Sequence, residues 1–135
     1  MKSTRHFLEY ILINLLLLLV RPLSQQAVVR TGKRLGSLAF HFSEKRKQSA
    51  KVNLDIIYAN SLSFVKKNKI IKESFQNLAV SALQCLWVTA DTENRVRKLI
   101  DGEPIGLDRL NKCLEKNKGI FFLTAHYGNW EIMGL

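Results

Sequence analysis

Apolar and polar positions follow three different rhythms along this 135-residue chain. The first is an almost unbroken apolar run over residues 7–20, FLEYILINLLLLLV, interrupted only by Glu9 and Asn14. As a helix it spans about 21 Å, against a hydrocarbon core of about 30 Å. Continuing to Val29 gives about 34 Å, but the path must pass Arg21 and Pro22. Three readings compete. A secretory signal peptide has its basic start in MKSTRH, but RPLSQQA after Val20 is a poor cleavage site. A soluble core helix must place LINLLLLLV, apolar all round, inside a protein large enough to surround it. A retained membrane anchor over residues 1–29 is the expectation carried forward.

The second rhythm is helical. Residues 24–42 form an amphipathic pattern in which Val28, Val29, Leu35, Leu38, Ala39 and Phe42 share a broad face, with Gly32 and Gly36 as weak points. Ser43 is placed to cap a helix from Glu44 to Tyr58. Ala59-Asn60-Ser61 reads as a turn. A long helix then runs to about Ala90. Its stripe of Ile71, Phe75, Leu78, Ala79, Ala82, Leu83, Leu86, Trp87 and Ala90 is the strongest periodic signal in the chain and reads as core. Asp91 or Thr92 caps a short helix through ENRVRKLI, which Asp101-Gly102 and Pro104-Ile105-Gly106 end. LDRLNKCLEKNK gives one more amphipathic helix before Asn117-Lys118-Gly119.

The third rhythm is a continuous β-favouring run, Ile120-Phe121-Phe122-Leu123-Thr124-Ala125. With a helix before it and another expected after it, this is the pattern of a strand covered on both faces of a mostly parallel sheet.

Charge changes the picture at the N-terminal side. Lys+Arg number 21 against 11 Asp+Glu, a formal net charge of +10, so an anionic partner is expected. Hydrophobic content of 47% is too high for a disordered basic tail. Lys2 and Arg5 precede the apolar run, whereas Arg21, Arg30, Lys33, Arg34, Lys45, Arg46, Lys47 and Lys51 follow it. With an anchor, that asymmetry puts everything after residue 30 on the cytoplasmic side. Lys45-Arg46-Lys47 is then either a solvated face or a contact with an anionic membrane surface. Nucleic acid is excluded as partner, because the basic residues are not interleaved with exposed aromatics and no binding motif is present. Cys85 and Cys113 have no metal-ligand spacing and read as reduced thiols.

Candidate chemistry concentrates at the end, in GIFFLTAHYGNWEIMGL, residues 119–135. His126 is the first residue past the expected strand, where sites form in parallel sheets. Gly128 permits a tight turn, and Glu131 falls in the first turn of the next helix. On one continuous helix a separation of five rotates the second side chain by about 140°, so the pair would not meet. Across a strand–turn–helix corner it does. A carboxylate on one imidazole nitrogen fixes the tautomer and leaves the other to take a proton from a hydroxyl. Taken alone, a histidine at a strand end is also a common structural hydrogen-bonding residue. No third ligand clusters nearby to make a zinc site.

The block HYGNWE after GIFFLTA resembles the His-x4-Asp/Glu block of the bacterial lipid A biosynthesis acyltransferases, the lauroyl/myristoyl transferase family. The apolar N-terminus, VNLDIIY, KIIKESFQNLAVSALQCLW and GLDRLNKCLEKNKGIFFLTAH look like that family in order, so the resemblance covers most of the chain. It implies an enzyme on the cytoplasmic side of the inner membrane, moving a fatty acyl chain from acyl carrier protein to a hydroxyl of a lipid A precursor. His126 matches the catalytic base and Glu131 its acidic partner; Gly128, Asn129 and Trp130 match the positions that shape the turn. An acidic carrier and a phosphorylated acceptor agree with the basic charge. No metal or dissociable cofactor is implied.

The expected fold class is therefore α/β. It comprises a membrane anchor at 1–29, a helical region at 30–118, and at 119–135 the first strand and His-x4-Glu corner of an acyltransferase sheet. Because the resemblance implies further strands and the chain stops four residues after Glu131, an inactive N-terminal portion of a longer enzyme is expected. A non-catalytic adaptor that holds anionic lipid or an acidic partner also explains the charge, but gives His126 and Glu131 no task.

Overall fold

A computed structural model describes residues 2–59, 61–100, 102, 105–121, 123–125 and 127–134, of which 2–5 and 133 as backbone only. Asn60, Asp101, Pro104, Phe122 and His126, all singled out by the sequence, lie outside the described residues. Six α-helices follow one another: α1 Lys2–Val20, α2 Gln25–Phe42, α3 Glu44–Tyr58, α4 Phe64–Val88, α5 Thr92–Leu99 and α6 Leu107–Leu114, with a 3₁₀ helix at Trp130–Gly134. The chain divides into two compact units, Met1–Ala90 and Asp91–Leu135.

Two parts of the expected fold are corrected. Among the described residues there is no strand and no sheet, so the architecture is helical and not α/β. Residues 120, 121 and 123–125 have no ladder partner, and a strand exists only through hydrogen bonds to a neighbour. Nor are they covered, since Phe121 and Leu123 are each 101% exposed. The anchor is also overturned: among the described residues no helix is long and apolar enough to cross a membrane. The continuation to Val29 that a span needed is broken by a turn at Arg21-Pro22, which ends α1 at Val20. The proline ring disfavours helix at the residue before it. The orientation drawn from the flanking charges falls with the anchor.

In the first unit, α2 and α4 form the main contact. Val28, Gly32 and Gly36 are buried on α2, at four-residue spacing, while Leu35, Leu38 and Phe42 stay exposed. A Cβ at Gly32 would stand 2.7 Å from the Val80 Cα, and one at Gly36 would stand 2.4 Å from the Gln76 Cα. The glycines that weaken α2 as an isolated helix thus let it approach α4 backbone to backbone. Gln76 Nε2 donates to Ser37 Oγ at 2.8 Å, and Phe40 meets Phe75 edge-on at 5.9 Å. Further along, Ile71, Leu83, Trp87 and Val88 are buried, and Trp87 Nε1 donates to the Leu23 carbonyl at 2.7 Å, tying the α1–α2 connection to α4. Ser24 and Ser63 cap α2 and α4 by accepting from Ala27 N and Lys66 N.

α3 is held differently. It buries no residue, and Ser43 precedes it without a side-chain cap bond. Its C-terminal end is clamped by the buried Lys67 of α4, whose Nζ donates to Asp55 Oδ1 at 2.5 Å and to the Ala59 carbonyl at 2.6 Å. α1 packs on α4, and of its described side chains only Leu17 and Val20 are less than exposed.

Candidate functional site

The corner opens after α6, whose C-terminal turn closes with Asn117 at φ 51. Residues 119–121 and 123–125 carry no regular structure. A bend at Gly128-Asn129 follows, and Gly128 takes φ 67, the left-handed region that glycine occupies without strain. Trp130 then starts the 3₁₀ helix, and Ile132 N donates to the Asn129 carbonyl at 3.1 Å. Glu131 lies in the first turn of that helix and is exposed. Asn129 and Trp130 are half-buried and held by further interactions. Tyr127 is exposed.

The five candidate residues therefore divide. Gly128, Asn129, Trp130 and Glu131 sit together in one bend-to-helix turn. His126 lies outside the described residues. The bend at Gly128-Asn129 separates the irregular stretch from the 3₁₀ helix. An exposed carboxylate at the start of a helical turn is free to accept a hydrogen bond from an imidazole N–H. Among the described residues, no group of three His, Cys, Asp or Glu side chains is arranged to hold a metal ion.

A second feature was not separable from the core pattern in sequence. Phe75 and Leu78 belong to the long stripe of α4, yet Leu78 is 68% exposed. Both line a groove whose other wall is α3, with Lys45 and Arg46. Lys45-Arg46-Lys47 is the signal that could have found it, because a basic run facing an apolar stripe makes an amphiphilic cleft only once α3 folds beside α4.

Over residues 1–135 the chain matches the family described as Bacterial lipid A biosynthesis acyltransferase. It is similar to a Lipid A biosynthesis palmitoleoyltransferase of Escherichia coli (strain K12) and to a Lipid A biosynthesis acyltransferase of Shigella flexneri. Each is 29% identical over 103 residues, covering 76% of this chain and 33% of the relative. The chain thus spans about a third of the length of the curated relatives it matches. No solved structure matches it.

Proposed function

This chain belongs to the bacterial lipid A biosynthesis acyltransferase family, and from that premise we propose that it carries the proton-transfer pair of an O-acyltransferase. The reaction moves a fatty acyl chain from the thioester of an acyl carrier protein to a hydroxyl of a lipid A precursor. His126 takes the proton of the acceptor hydroxyl as its oxygen attacks the thioester carbonyl. Glu131 accepts a hydrogen bond from the other imidazole nitrogen, which fixes the tautomer and stabilises the imidazolium. When the C–S bond breaks, the proton on His126 passes to the leaving thiolate. Gly128, Asn129 and Trp130 hold the turn that brings the two side chains to one side.

The observation that carries this reading is the family match over residues 1–135, which includes the HYGNWE block. The positive φ at Gly128 and the exposed Glu131 in the following turn support it. The reading puts the reaction at the cytoplasmic face of the inner membrane, where basic helices meet anionic head groups and an acidic carrier protein. Turnover belongs to a longer polypeptide that contains this segment, and the 135-residue chain alone is inactive. Phe121, Leu123 and Tyr127 stand in solvent, so the corner does not exclude water from the reacting atoms.

Glu131→Gln tests the pairing. In the longer enzyme, with acyl-labelled carrier protein and an underacylated lipid A precursor, transfer is expected to fall by about tenfold or more. Transfer unchanged by the substitution would return the corner to a non-catalytic role.

A further inference from the structure

α3 lies against both α2 and α4 yet buries none of its own residues. Its half-buried face is Lys47, Ala50, Lys51 and Leu54, at three- and four-residue spacing. Lysine thus stands where a packed helix carries apolar side chains. Lys47 lies 5.0 Å from the centre of the Phe40 ring on α2, and Lys51 lies 5.7 Å from the centre of the Phe64 ring on α4. A solvated ammonium over a ring is a weak tie, and the Lys47–Glu44 ion pair stays within α3 itself. The strong tie is at the C-terminal end, where the buried Lys67 of α4 donates to Asp55 Oδ1 at 2.5 Å and to the Ala59 carbonyl at 2.6 Å.

That end is also strained. Ala59 takes φ 44 and ψ −121, a backbone conformation that crowds a Cβ and that glycine adopts freely. Lys67 bonds the carbonyl of this same residue, so the ammonium holds closed a joint that opposes closure. At the other end Ser43 alone separates α2 from α3, and it gives α3 no side-chain cap bond. A 15-residue helix without partners is marginal in water, so α3 unwinds when it leaves them.

We propose that α3 is a latched flap, with Lys67 as the latch and the strain at Ala59 as the force that opens it. The flap leaves as one unit while α2 and α4 stay packed through Val28, Gly32 and Gly36. Opening removes Lys45, Arg46, Ser49 and Asn53, which form the α3 wall of the groove of about 550 Å³, and uncovers the half-buried Phe75. The groove therefore exists only while the latch is closed. The device uses no residue of 119–135, and its failure would leave the acyl-transfer reading as it stands.

Native-state hydrogen exchange at low urea, read by mass spectrometry on the longer enzyme, tests the flap. Amides of 48–58 are expected to exchange at least about a hundredfold faster than those of 71–88, through an opening with weaker urea dependence. Lys67→Met is expected to speed exchange over 48–58 by about tenfold, and Asp55→Asn, a milder change at a half-exposed side chain, by about threefold. Ala59→Gly is expected to slow it by about threefold, because the closed joint is no longer strained. Glycine ordinarily loosens a chain, so slowing identifies strain at Ala59 as the opposing force. The flap is overturned if 48–58 exchanges at the rate and urea dependence of 71–88, if neither Lys67→Met nor Asp55→Asn speeds it, or if Ala59→Gly does not slow it.

Discussion

The α2–α4 pair and the stretch from Gly119 to Gly134 both contain glycines beside large apolar residues, yet they end in opposite states. In the pair, Gly32 and Gly36 remove side-chain bulk where two helix backbones meet, and Val28, Ile71 and Trp87 are buried around that contact. In the corner, Gly128 has open space around it and serves only the direction of the chain. Phe121 and Leu123 there bury nothing. The lesson is that a helix satisfies its own backbone and needs a partner only for its face, whereas an extended segment needs a partner for its backbone as well. One region is held by packed helix faces and the other is not, and the two respond to different substitutions.

The sharpest break is expected from Gly36→Val. The added carbons meet the Gln76 backbone and the Phe75 carbonyl, neither of which can swing aside. A loss of about 3 kcal/mol or more in urea unfolding is expected, and a loss under about 1 kcal/mol would show that α2 and α4 are not so closely apposed. Trp87→Phe comes next, at about 2 kcal/mol, because it removes the indole donor to the Leu23 carbonyl and leaves space in a buried site. Lys67→Met is expected to cost about 1.5 kcal/mol, since Asp55 is half-exposed and water takes over one of the two lost hydrogen bonds. The smallest effect belongs to the corner. Gly128→Ala forces φ 67 on a residue with a Cβ and is expected to cost about 1 kcal/mol locally, read as faster amide exchange over 127–132 with the melting of residues 1–90 unchanged.

The helix over Glu44–Tyr58 was legible to the residue, whereas the pattern read through Lys118 is helical only to Leu114. Ser43 marks the start of α3 by its place alone, without the side-chain cap bond expected of it, and the cap of α4 falls on Ser63, which the pattern had not singled out. What the helices pack against was less legible. The broad apolar face read for α2 is largely exposed, and its real contact runs through Val28, Gly32 and Gly36, because close approach rewards the absence of a side chain and periodicity counts only its presence. The long stripe of α4 is buried at Ile71, Leu83 and Trp87 but not at Leu78, which faces the groove. The run at 120–125 had strand composition, but composition does not supply the neighbouring strand that makes a ladder. The apolar run at 7–20 reads as an anchor by content and stops short by length, at Arg21-Pro22. Of the site, the turn at Gly128 and the place of Glu131 were readable from residue type and spacing. The roles of His126 and Glu131 came from the family resemblance.

The central claim is that an imidazole at the end of the 119–125 segment removes a proton from a lipid hydroxyl. Acyl transfer from labelled carrier protein to a lipid A precursor, measured with His126→Ala in the longer enzyme beside its melting temperature, tests this most directly. Transfer is expected to fall by about a hundredfold or more with the melting temperature unchanged. Transfer within about tenfold of the unsubstituted enzyme would contradict it and remove His126 as the base.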